Sequence, residues 1–416
     1  MFSCARAEAM ALNPSNRCLL RPKRPTDPLK TSADPIEWHL ITPEYPPDVG
    51  GVSDYSYLVA TGLAAAGHTV HVWCPPTPGE SPTSAGVFVH PELGRFAPSD
   101  LRRVGRMLDE FPPPRRLLLQ WVPHGYGYRS MNLAFCMWIW RRAAASGDQV
   151  EIMVHEPCLA FRLASWKQSV AAAVHRMMTA ILLNAARRVW MSIPAWEAYW
   201  RPYGFGRRVP FTWLPVPSSV PVVECSATPS LRARYAPEGR ALVGHFGTYG
   251  GAVSEMLMCA LPPLASDRSG PAILLLGRGS EEMRSRLIGQ WPSLADRVHA
   301  TGCLDAAELS RHLATCDVLL QPYLDGVSSR HTSIMAGLAH GLPIVTTSGR
   351  LTEPLWCNSG CVALVDERDR AGIVARVQQL LIDADERRRL GEAARALYDA
   401  RFHVKNTIAA LRLAAP

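Results

Sequence analysis

Long apolar runs are absent from this sequence of 416 residues. None approaches the roughly eighteen consecutive apolar residues that a membrane-spanning helix needs, so the sequence predicts a globular protein. The 11 cysteines are scattered singly, without the CxxC or Cys/His spacing of a zinc site. This pattern indicates reduced thiols in a cytoplasm and argues against a disulfide framework.

The charges are unbalanced, but they are not concentrated in one place. The 44 Lys and Arg residues against 36 Asp and Glu residues give a net charge of +8, which favours an anionic ligand or surface. The basic residues do not gather in a stripe with interleaved aromatic residues, as a nucleic-acid-binding surface would require. The sequence therefore predicts no nucleic acid partner.

Two common nucleotide-binding motifs, G-x-G-x-x-G and G-x-x-x-x-G-K-[ST], are also absent from the positions where they function. What is present is two series of short apolar strands alternating with helices, which predicts an α/β protein with two Rossmann-like domains. Residues 1–34 have no continuous apolar core of the kind found in signal peptides, so we expect a disordered tail there. The predicted divisions are a tail at 1–34, a first domain at 35–215, a linker at 216–237, a second domain at 238–395 and a C-terminal helix at 396–416.

The most informative stretch is residues 317–347, which predicts a strand, a polar loop, a helix and a second strand. Ser328, Ser329 and Thr332 are candidate N-caps, and Gly341 lies where a helix commonly ends. The free N–H groups of the helix start, the serine hydroxyls and Arg330 would point at one place beyond the strand. That place suits an anion such as a phosphate. The alternative is an ordinary strand-helix-strand unit whose loop happens to be polar.

Polar loops also follow the predicted strands of the first domain. Gly50 and Gly51 follow strand 36–41, His124–Tyr128 follows strand 116–121, and His155 with Glu156 follows strand 150–154. Because the carboxyl ends of parallel strands meet at one edge of a sheet, we expect these loops to face one cleft. Each loop also has a plain structural explanation, since a glycine pair can serve a turn and a lone histidine can be a satisfied core residue.

A basic, tryptophan-rich segment runs from residue 166 to residue 208. Its helix, predicted at 166–188, has an apolar side beside Lys167 and several arginines, and Trp190, Trp196 and Trp200 follow. The segment suits the surface of an anionic membrane. The alternative is a core helix with basic flanks.

Four segments resemble those of the retaining GT-B glycosyltransferases, a large bacterial group that uses nucleotide-diphosphate sugars. The first, at 43–73, resembles the opening strand, glycine loop and first helix of that family. The second, EIMVHEP at 151–157, resembles the strand that delivers a histidine to the cleft. The third, LLGRGSE at 275–281, resembles the turn beneath the nucleotide, and the fourth, at 321–347, resembles the donor-binding segment.

This resemblance implies a donor bound mainly by the second domain, an acceptor held by the first, and a C-terminal helix that returns to the first domain. It places Gly50 and Gly51 near the diphosphate and His155 near the transferring sugar, with Glu156 orienting the histidine. Fixed N–H dipoles and an arginine would stabilise the departing diphosphate. Because nothing in the sequence resembles the Asp-x-Asp metal motif of the other glycosyltransferase fold, we expect no metal and no cofactor, only the nucleotide-sugar co-substrate. The remaining expected contacts are Gly247 and Thr248 to the donor, and Tyr126 and Tyr128 to the acceptor.

The sequence departs from the family in its donor segment. The family's two glutamates, which are separated by seven residues, correspond to Ser328 and Ala336, and the usual Arg and Lys are missing from residues 244–256. Our hypothesis is that Asp325 or the two serines, Ser328 and Ser329, contact the sugar. Arg330, with Arg278, would then replace the missing cations at the diphosphate.

Three functions follow from these observations. The leading one is retaining transfer of a hexose to a hydroxyl acceptor, either a glycan, a lipid-linked compound or a small molecule, in the cytoplasm or at the inner face of the plasma membrane. The second is a sugar-nucleotide epimerase on the same frame. The third is a degenerate GT-B protein that only binds a nucleotide or a partner, which the missing glutamates and cations would explain.

Overall fold

The first half of the molecule is built around one parallel sheet. The structure, a computed structural model, describes residues 36–162, 164–224, 228–267 and 269–413, so the tail predicted at 1–34 lies outside the described residues. Within them this sheet has seven parallel strands in the order β3-β2-β1-β4-β5-β6-β7. The strands are β1 Glu37–Ile41, β2 Thr69–Trp73, β3 Val87–His90, β4 Arg116–Trp121, β5 Gln149–Val154, β6 Ala186–Met191 and β7 Phe211–Trp213.

A second parallel sheet follows along the chain. In the described residues it has six strands in the order β10-β9-β8-β11-β12-β13. The strands are β8 Leu242–Phe246, β9 Ala272–Leu276, β10 Val298–Ala300, β11 Val318–Gln321, β12 Ile344–Ser348 and β13 Ala363–Asp366. In both sheets the strand order reverses beside the first strand, and open α/β sheets bind ligands at that point. The predicted α/β class with two Rossmann-like sheets is confirmed.

Helices cover both faces of each sheet. Alternate residues of β4 pack into different cores, Leu117 and Leu119 on one face and Leu118 on the other. Strands buried on both faces must be apolar throughout, which is why they were visible as apolar runs. The helices are α1 Gly51–Ala65, α2 Pro98–Leu108, α3 Leu133–Ala145, α4 Trp166–Ala185, α5 Trp196–Trp200, α6 Thr228–Tyr235, α7 Gly251–Ala265, α8 Ser280–Gln290, α9 Ala306–Leu313, α10 Thr332–Ala339, α11 Pro354–Asn358, α12 Arg370–Ile382, α13 Ala384–Leu397 and α14 Val404–Leu413.

The last helix crosses back to the first half, as predicted. Ile408 and Leu411 of α14 are buried in the same core as Leu63 of α1. The Arg116 guanidinium donates from Nη2 to the Leu411 carbonyl oxygen at 2.9 Å, and its charge is paired with Glu151. A buried ion pair at the start of β4 thus satisfies a carbonyl of the returning helix.

One predicted boundary was wrong. The helix predicted at 166–188 ends at Ala185, and the residues that follow form β6 beside β5. The apolar periodicity of α4 continues into the strand, which hid the change. The segment predicted as linker contains helix α6, whose Arg232 pairs with Asp317 at 2.7 Å.

The unit β11-α10-β12 has the predicted order, but its helix begins differently. The N-cap is His331, so Thr332 is the first helical residue and the two serines lie in the preceding loop. Gly341 adopts a φ of 63° after the helix. Its N–H donates to the Leu338 carbonyl oxygen, and the next N–H, that of Leu342, reaches back to Gly337. The predicted glycine terminator is therefore confirmed.

Three histidines stack across the outer strands of the first sheet. His39 and His71 have ring centroids 5.3 Å apart, and His71 and His90 are 5.2 Å apart. Burial lowers the pKa of His39 to about 3 and that of His90 to about 4, with the neighbouring His71 adding to both shifts. Burial also lowers the pKa of His71, against the opposing effect of Glu37. All three rings are therefore neutral at pH 7.

We predict that the free energy of unfolding falls as the pH is lowered from about 6.5 towards about 4, because the unfolded chain takes up protons that these rings cannot. Urea unfolding across this range would measure the slope. His90→Gln should make the slope shallower, whereas His124→Gln, which removes an exposed histidine, should leave it unchanged. An unaltered slope in His90→Gln would contradict the account.

Candidate active site between the two sheets

The two halves meet at Ser329, in the loop before α10. The Ser329 hydroxyl contacts the Ser192 carbonyl oxygen at 2.8 Å and accepts from the Trp213 indole Nε1 at 3.0 Å. Its main-chain oxygen accepts from the N–H of Val216 at 3.0 Å. Leu351, from the loop after β12, is buried in the core of the first half. The loop that starts α10 is therefore held directly against the first sheet's loops.

The same serine binds a carboxylate that the sequence analysis did not identify. The Glu353 carboxylate accepts from the Ser329 N–H at 2.9 Å and from the Trp356 indole Nε1 at 2.7 Å, and it also contacts the Ser329 hydroxyl. Burial raises the pKa of Glu353. Ser328 is fully buried as well, with its hydroxyl beside the His331 ring. The expectation that Ser328 and Ser329 contact the sugar is thus corrected, because these groups are buried and have protein partners.

Arg330, the next residue, points into the junction. Its guanidinium carbon lies 5.4 Å from the centroid of the Trp196 ring, and its Nε is buried without a hydrogen-bond partner. The Trp196 indole donates to the His155 carbonyl oxygen at 3.1 Å. One tryptophan of the first half therefore contacts both the predicted cation of the second half and the predicted histidine of the first.

His155 is held by Gln120, not by Glu156. The His155 Nε2 lies 2.9 Å from Gln120 Oε1, and the ring meets Tyr55 edge-on at 4.7 Å. Burial lowers the pKa of His155 to about 3, so the ring is neutral. Because a carbonyl oxygen only accepts, Nε2 carries the hydrogen and Nδ1 keeps its lone pair. The predicted role of Glu156 is wrong, since that side chain is exposed and lies 3.5 Å from His124.

The glycine pair contacts a carboxylate of the chain itself. Glu44 Oε1 accepts from the N–H of Val52 at 3.1 Å and from that of Ser53 at 3.0 Å, at the start of α1. A Cβ added to Gly50 would lie 2.3 Å from this oxygen, so the Glu44 carboxylate would have to move. The Gly50 φ of −168° is extended, which any residue can adopt. Glu44 therefore takes N–H groups directly after the glycine pair that the resemblance placed near the diphosphate.

Arg278 reaches across to this glycine loop. Its Nη2 donates to the Val49 carbonyl oxygen at 3.4 Å, and its side chain is exposed. The turns after β8 and β9 lie side by side, because the N–H of Gly247 donates to the Leu276 carbonyl oxygen at 3.2 Å. Thr248, also in the turn after β8, is exposed. The structure thus brings Arg278, Gly247 and the Gly50 loop together across the cleft.

The other predicted site residues differ in accessibility. Tyr126 is fully buried, stacks on Trp121 and donates its hydroxyl to the Gln120 carbonyl oxygen, so its assignment to the acceptor site is wrong. Tyr128 is exposed on the same loop.

The remaining predicted residues lie on the donor side or at helix starts. Asp325 forms a salt bridge with Arg350 at 2.7 Å. Thr332 and Gly51 are at the first turns of α10 and α1, and no Cβ clash explains the second glycine.

Comparison with known proteins identifies the family. A model described as Glycosyltransferase Family 4 matches residues 49–210, and one described as Glycosyl transferases group 1 matches residues 241–383. The two matches follow one another and together cover more than half of the 416 residues. No curated protein sequence matches the chain.

Several solved structures share the fold at low sequence identity. Sucrose-phosphate synthase from Thermosynechococcus elongatus has a TM-score of 0.67 at 19% identity, over 91% of this chain and 98% of its own. HepE from Anabaena, in complex with UDP-glucose, has a TM-score of 0.64 at 15% identity, over 91% and 100%. WaaG, a glycosyltransferase involved in lipopolysaccharide biosynthesis, has a TM-score of 0.63 at 16% identity, over 90% and 99%. The chain therefore belongs to the group 1 glycosyltransferases, and its two parallel-sheet domains form the GT-B fold.

Proposed function

We propose that the protein transfers a hexose from a nucleotide-diphosphate sugar to a hydroxyl acceptor with retention of anomeric configuration and without a metal ion. The observation that carries this proposal is the contact of Trp196 with both halves: its ring lies beside the Arg330 guanidinium, and its indole donates to the His155 carbonyl oxygen. A cation from the loop before α10 is thus linked through one tryptophan to the loop that carries a neutral histidine after β5. The UDP-glucose complex of HepE supports the same donor class.

The chemistry assigned to these groups balances without a further reactant. The bond between the anomeric carbon and the diphosphate oxygen breaks, and the electron pair leaves with the diphosphate. Arg330 and Arg278 stabilise that growing negative charge, which is the role a metal has in other transferases. The acceptor oxygen bonds to the anomeric carbon on the same face, and its proton passes to the departing phosphate oxygen. His155 accepts a hydrogen bond from a sugar hydroxyl at Nδ1.

The acceptor belongs to the first half. Tyr128 is the exposed aromatic residue of the loop after β4 and offers a ring on which a sugar can stack. A glycan or a lipid-linked acceptor fits this position, and we propose a cytoplasmic enzyme that works at the inner face of a membrane. Neither a cofactor nor a nucleic acid enters the proposed reaction.

A second candidate function is a nucleotide-binding protein without transferase activity. Two observations favour it. The hydroxyl of Ser329 is engaged by Trp213 and Ser192, so it is not free to replace a missing glutamate. The Glu44 carboxylate occupies the N–H groups at the start of α1 and adds negative charge there. Both features reduce the polar groups available to a donor.

We predict that one class of sugar nucleotide raises the thermal unfolding midpoint, that EDTA does not change this shift, and that Arg330→Ala abolishes it. UDP, GDP, ADP and TDP with their common sugars form the panel. Transfer to acceptors should fall by about a hundredfold or more in Arg330→Ala, because a group that stabilises the leaving charge is lost. Arg330→Lys should retain part of the activity.

Arg368→Ala, which removes an exposed arginine of the same half, is the matched control and should behave like the unmodified chain. Undiminished turnover in Arg330→Ala would contradict the assigned role. Binding without transfer on any acceptor would favour the nucleotide-binding candidate. A new nucleotide sugar formed without an acceptor would indicate an epimerase, and NMR of the glycoside product would decide between retention and inversion.

Gln120 is predicted to position His155. Gln120→Leu should lower kcat by about tenfold with little change in KM, because the ring loses the acceptor that fixes its tautomer. Gln120→Glu places a carboxylate at the same distance and should raise the pKa of His155. Its pH–rate profile should then lose activity at a higher pH than that of the unmodified enzyme. Identical pH profiles would show that the pair has only a structural role.

Glu44 is predicted to oppose binding of the diphosphate. Glu44→Gln keeps an oxygen that accepts from the α1 N–H groups but removes the charge, so nucleoside diphosphates should bind several-fold more tightly by calorimetry. Glu80→Gln, at an exposed position, controls for the change in net charge. Weaker binding in Glu44→Gln would mean that the carboxylate supports the donor site.

A further inference from the structure

An exposed apolar stripe lies along the first three turns of α4. Trp166, Val170 and Met177 are exposed, Trp166 to 71%. At about 100° per residue they lie within about 40° of one another around the helix axis. The opposite side of α4 packs Met178 and Leu182 into the core of the first half. The helix is therefore apolar on its inner and its outer side, and only the inner side has a partner in the described residues.

The loop before α4 extends this stripe. Leu159 and Phe161 are exposed, Phe161 to 58%. The Arg176 guanidinium donates to the Leu159 carbonyl oxygen at 3.0 Å and lies 4.0 Å from the centroid of the Phe161 ring. The Ser169 hydroxyl donates to the Arg162 carbonyl oxygen at 3.0 Å. The loop is thus fixed along the helix, and the five apolar residues form one surface, which we call the α4 patch: Leu159, Phe161, Trp166, Val170 and Met177.

The charges of the loop and helix that carry the α4 patch have one sign. Arg162, Lys167 and Arg176 belong to the loop and the helix, and the sequence contains no Asp or Glu between Glu156 and Glu197. The tryptophans that the sequence analysis had included in a membrane surface do not contribute, because Trp190, Trp196 and Trp200 are buried. The basic and apolar surface is therefore narrower than the sequence suggested, and it lies upstream of those residues.

We propose that the α4 patch docks on the surface of an anionic phospholipid bilayer. Cations on the patch would attract the surface, and the exposed aromatic and aliphatic side chains would enter the region between headgroups and acyl chains. None of the helices in the described ranges combines the length and the hydropathy that crossing a bilayer requires. Docking through a patch needs no such helix.

The position of the α4 patch determines which part of the cleft a docked bilayer would lie beside. The loop that carries Leu159 and Phe161 starts directly after His155 and Glu156, at the carboxyl end of β5. The N–H of Leu159 donates to the ring of His175 at 3.2 Å, so the loop is held against α4. A bilayer on the patch would lie beside the acceptor side of the cleft. Docking itself does not depend on the proposed transferase activity.

A second copy of the chain fits the α4 patch less well than an anionic bilayer does. A symmetric dimer through the same surface would bring Lys167 and Arg162 of both copies together, and like charges across an interface are unfavourable. Anionic lipid headgroups neutralise the same cations. Charge complementarity therefore favours the bilayer.

The test is sedimentation of the full chain with phosphatidylcholine vesicles, with and without phosphatidylglycerol. We expect binding to the anionic vesicles only, weakened by added salt. Phe161→Ser combined with Trp166→Ser should reduce the partition coefficient by about tenfold or more, because two large apolar side chains lose their buried area. Arg162→Glu combined with Lys167→Glu should reduce it by at least about tenfold as well, since each cation near such a surface contributes about fivefold.

Matched controls come from the second half. Ile382→Ser removes an exposed aliphatic residue and Arg368→Glu reverses an exposed charge, and both should leave vesicle binding unchanged. Hydrogen exchange on vesicles should slow at residues 159–177. Sugar-nucleotide binding should be the same in all variants, which separates a failure of docking from a failure of the proposed function.

Three outcomes would overturn the proposal: no binding to anionic vesicles, equal binding to neutral ones, or patch variants that bind like the unmodified chain. Analytical ultracentrifugation of the same variants tests the other occupant. A dimer that dissociates in Phe161→Ser with Trp166→Ser, without vesicle binding, would assign the α4 patch to a second copy.

Discussion

The contacts of Ser329 set the geometry on which the site depends. Its hydroxyl and its carbonyl oxygen join the loop before α10 to Ser192, Trp213 and Val216 of the first half and the segment that follows it. Glu353 holds the same residue from within the second half. A buried polar residue with this many partners cannot move without leaving several of them unsatisfied. The neighbouring Arg330 is thereby directed at Trp196.

Much of the fold could be predicted because parallel strands buried on both faces are short, apolar and separated by turns. Strand β4 is an example, since its apolar run predicted the observed bounds. Strand β6 was missed for a physical reason. It opens with Ala186, and the next two residues, Arg187 and Arg188, reach side chains of β5 and β7, so these first residues do not resemble a buried strand. Pairing with β5 overrides the helical preference of these residues of β6.

The site was less predictable, because its key pairs are distant in sequence. Gln120 and His155 are 35 positions apart, and Ser329 and Ser192 are 137 apart. Sequence spacing carries no information about such pairs. One signal was present nonetheless: a glutamine within the apolar run of β4 must find a partner when it is buried. Glu44 lies in the proline-rich loop and was not singled out, whereas Gly50, which it approaches in space, was predicted as a ligand contact.

The substitutions in the donor segment have a common physical consequence. A chain that lacks the family's paired glutamates has one arginine, Arg330, where the loop meets the other half. That cation lies against Trp196 of α5 in the first half, so this contact exists only while the halves are joined. A diphosphate that pairs with Arg330 would therefore favour the arrangement that Ser329 stabilises. Donor binding and the contact between the halves would then be linked by one charge and one aromatic ring.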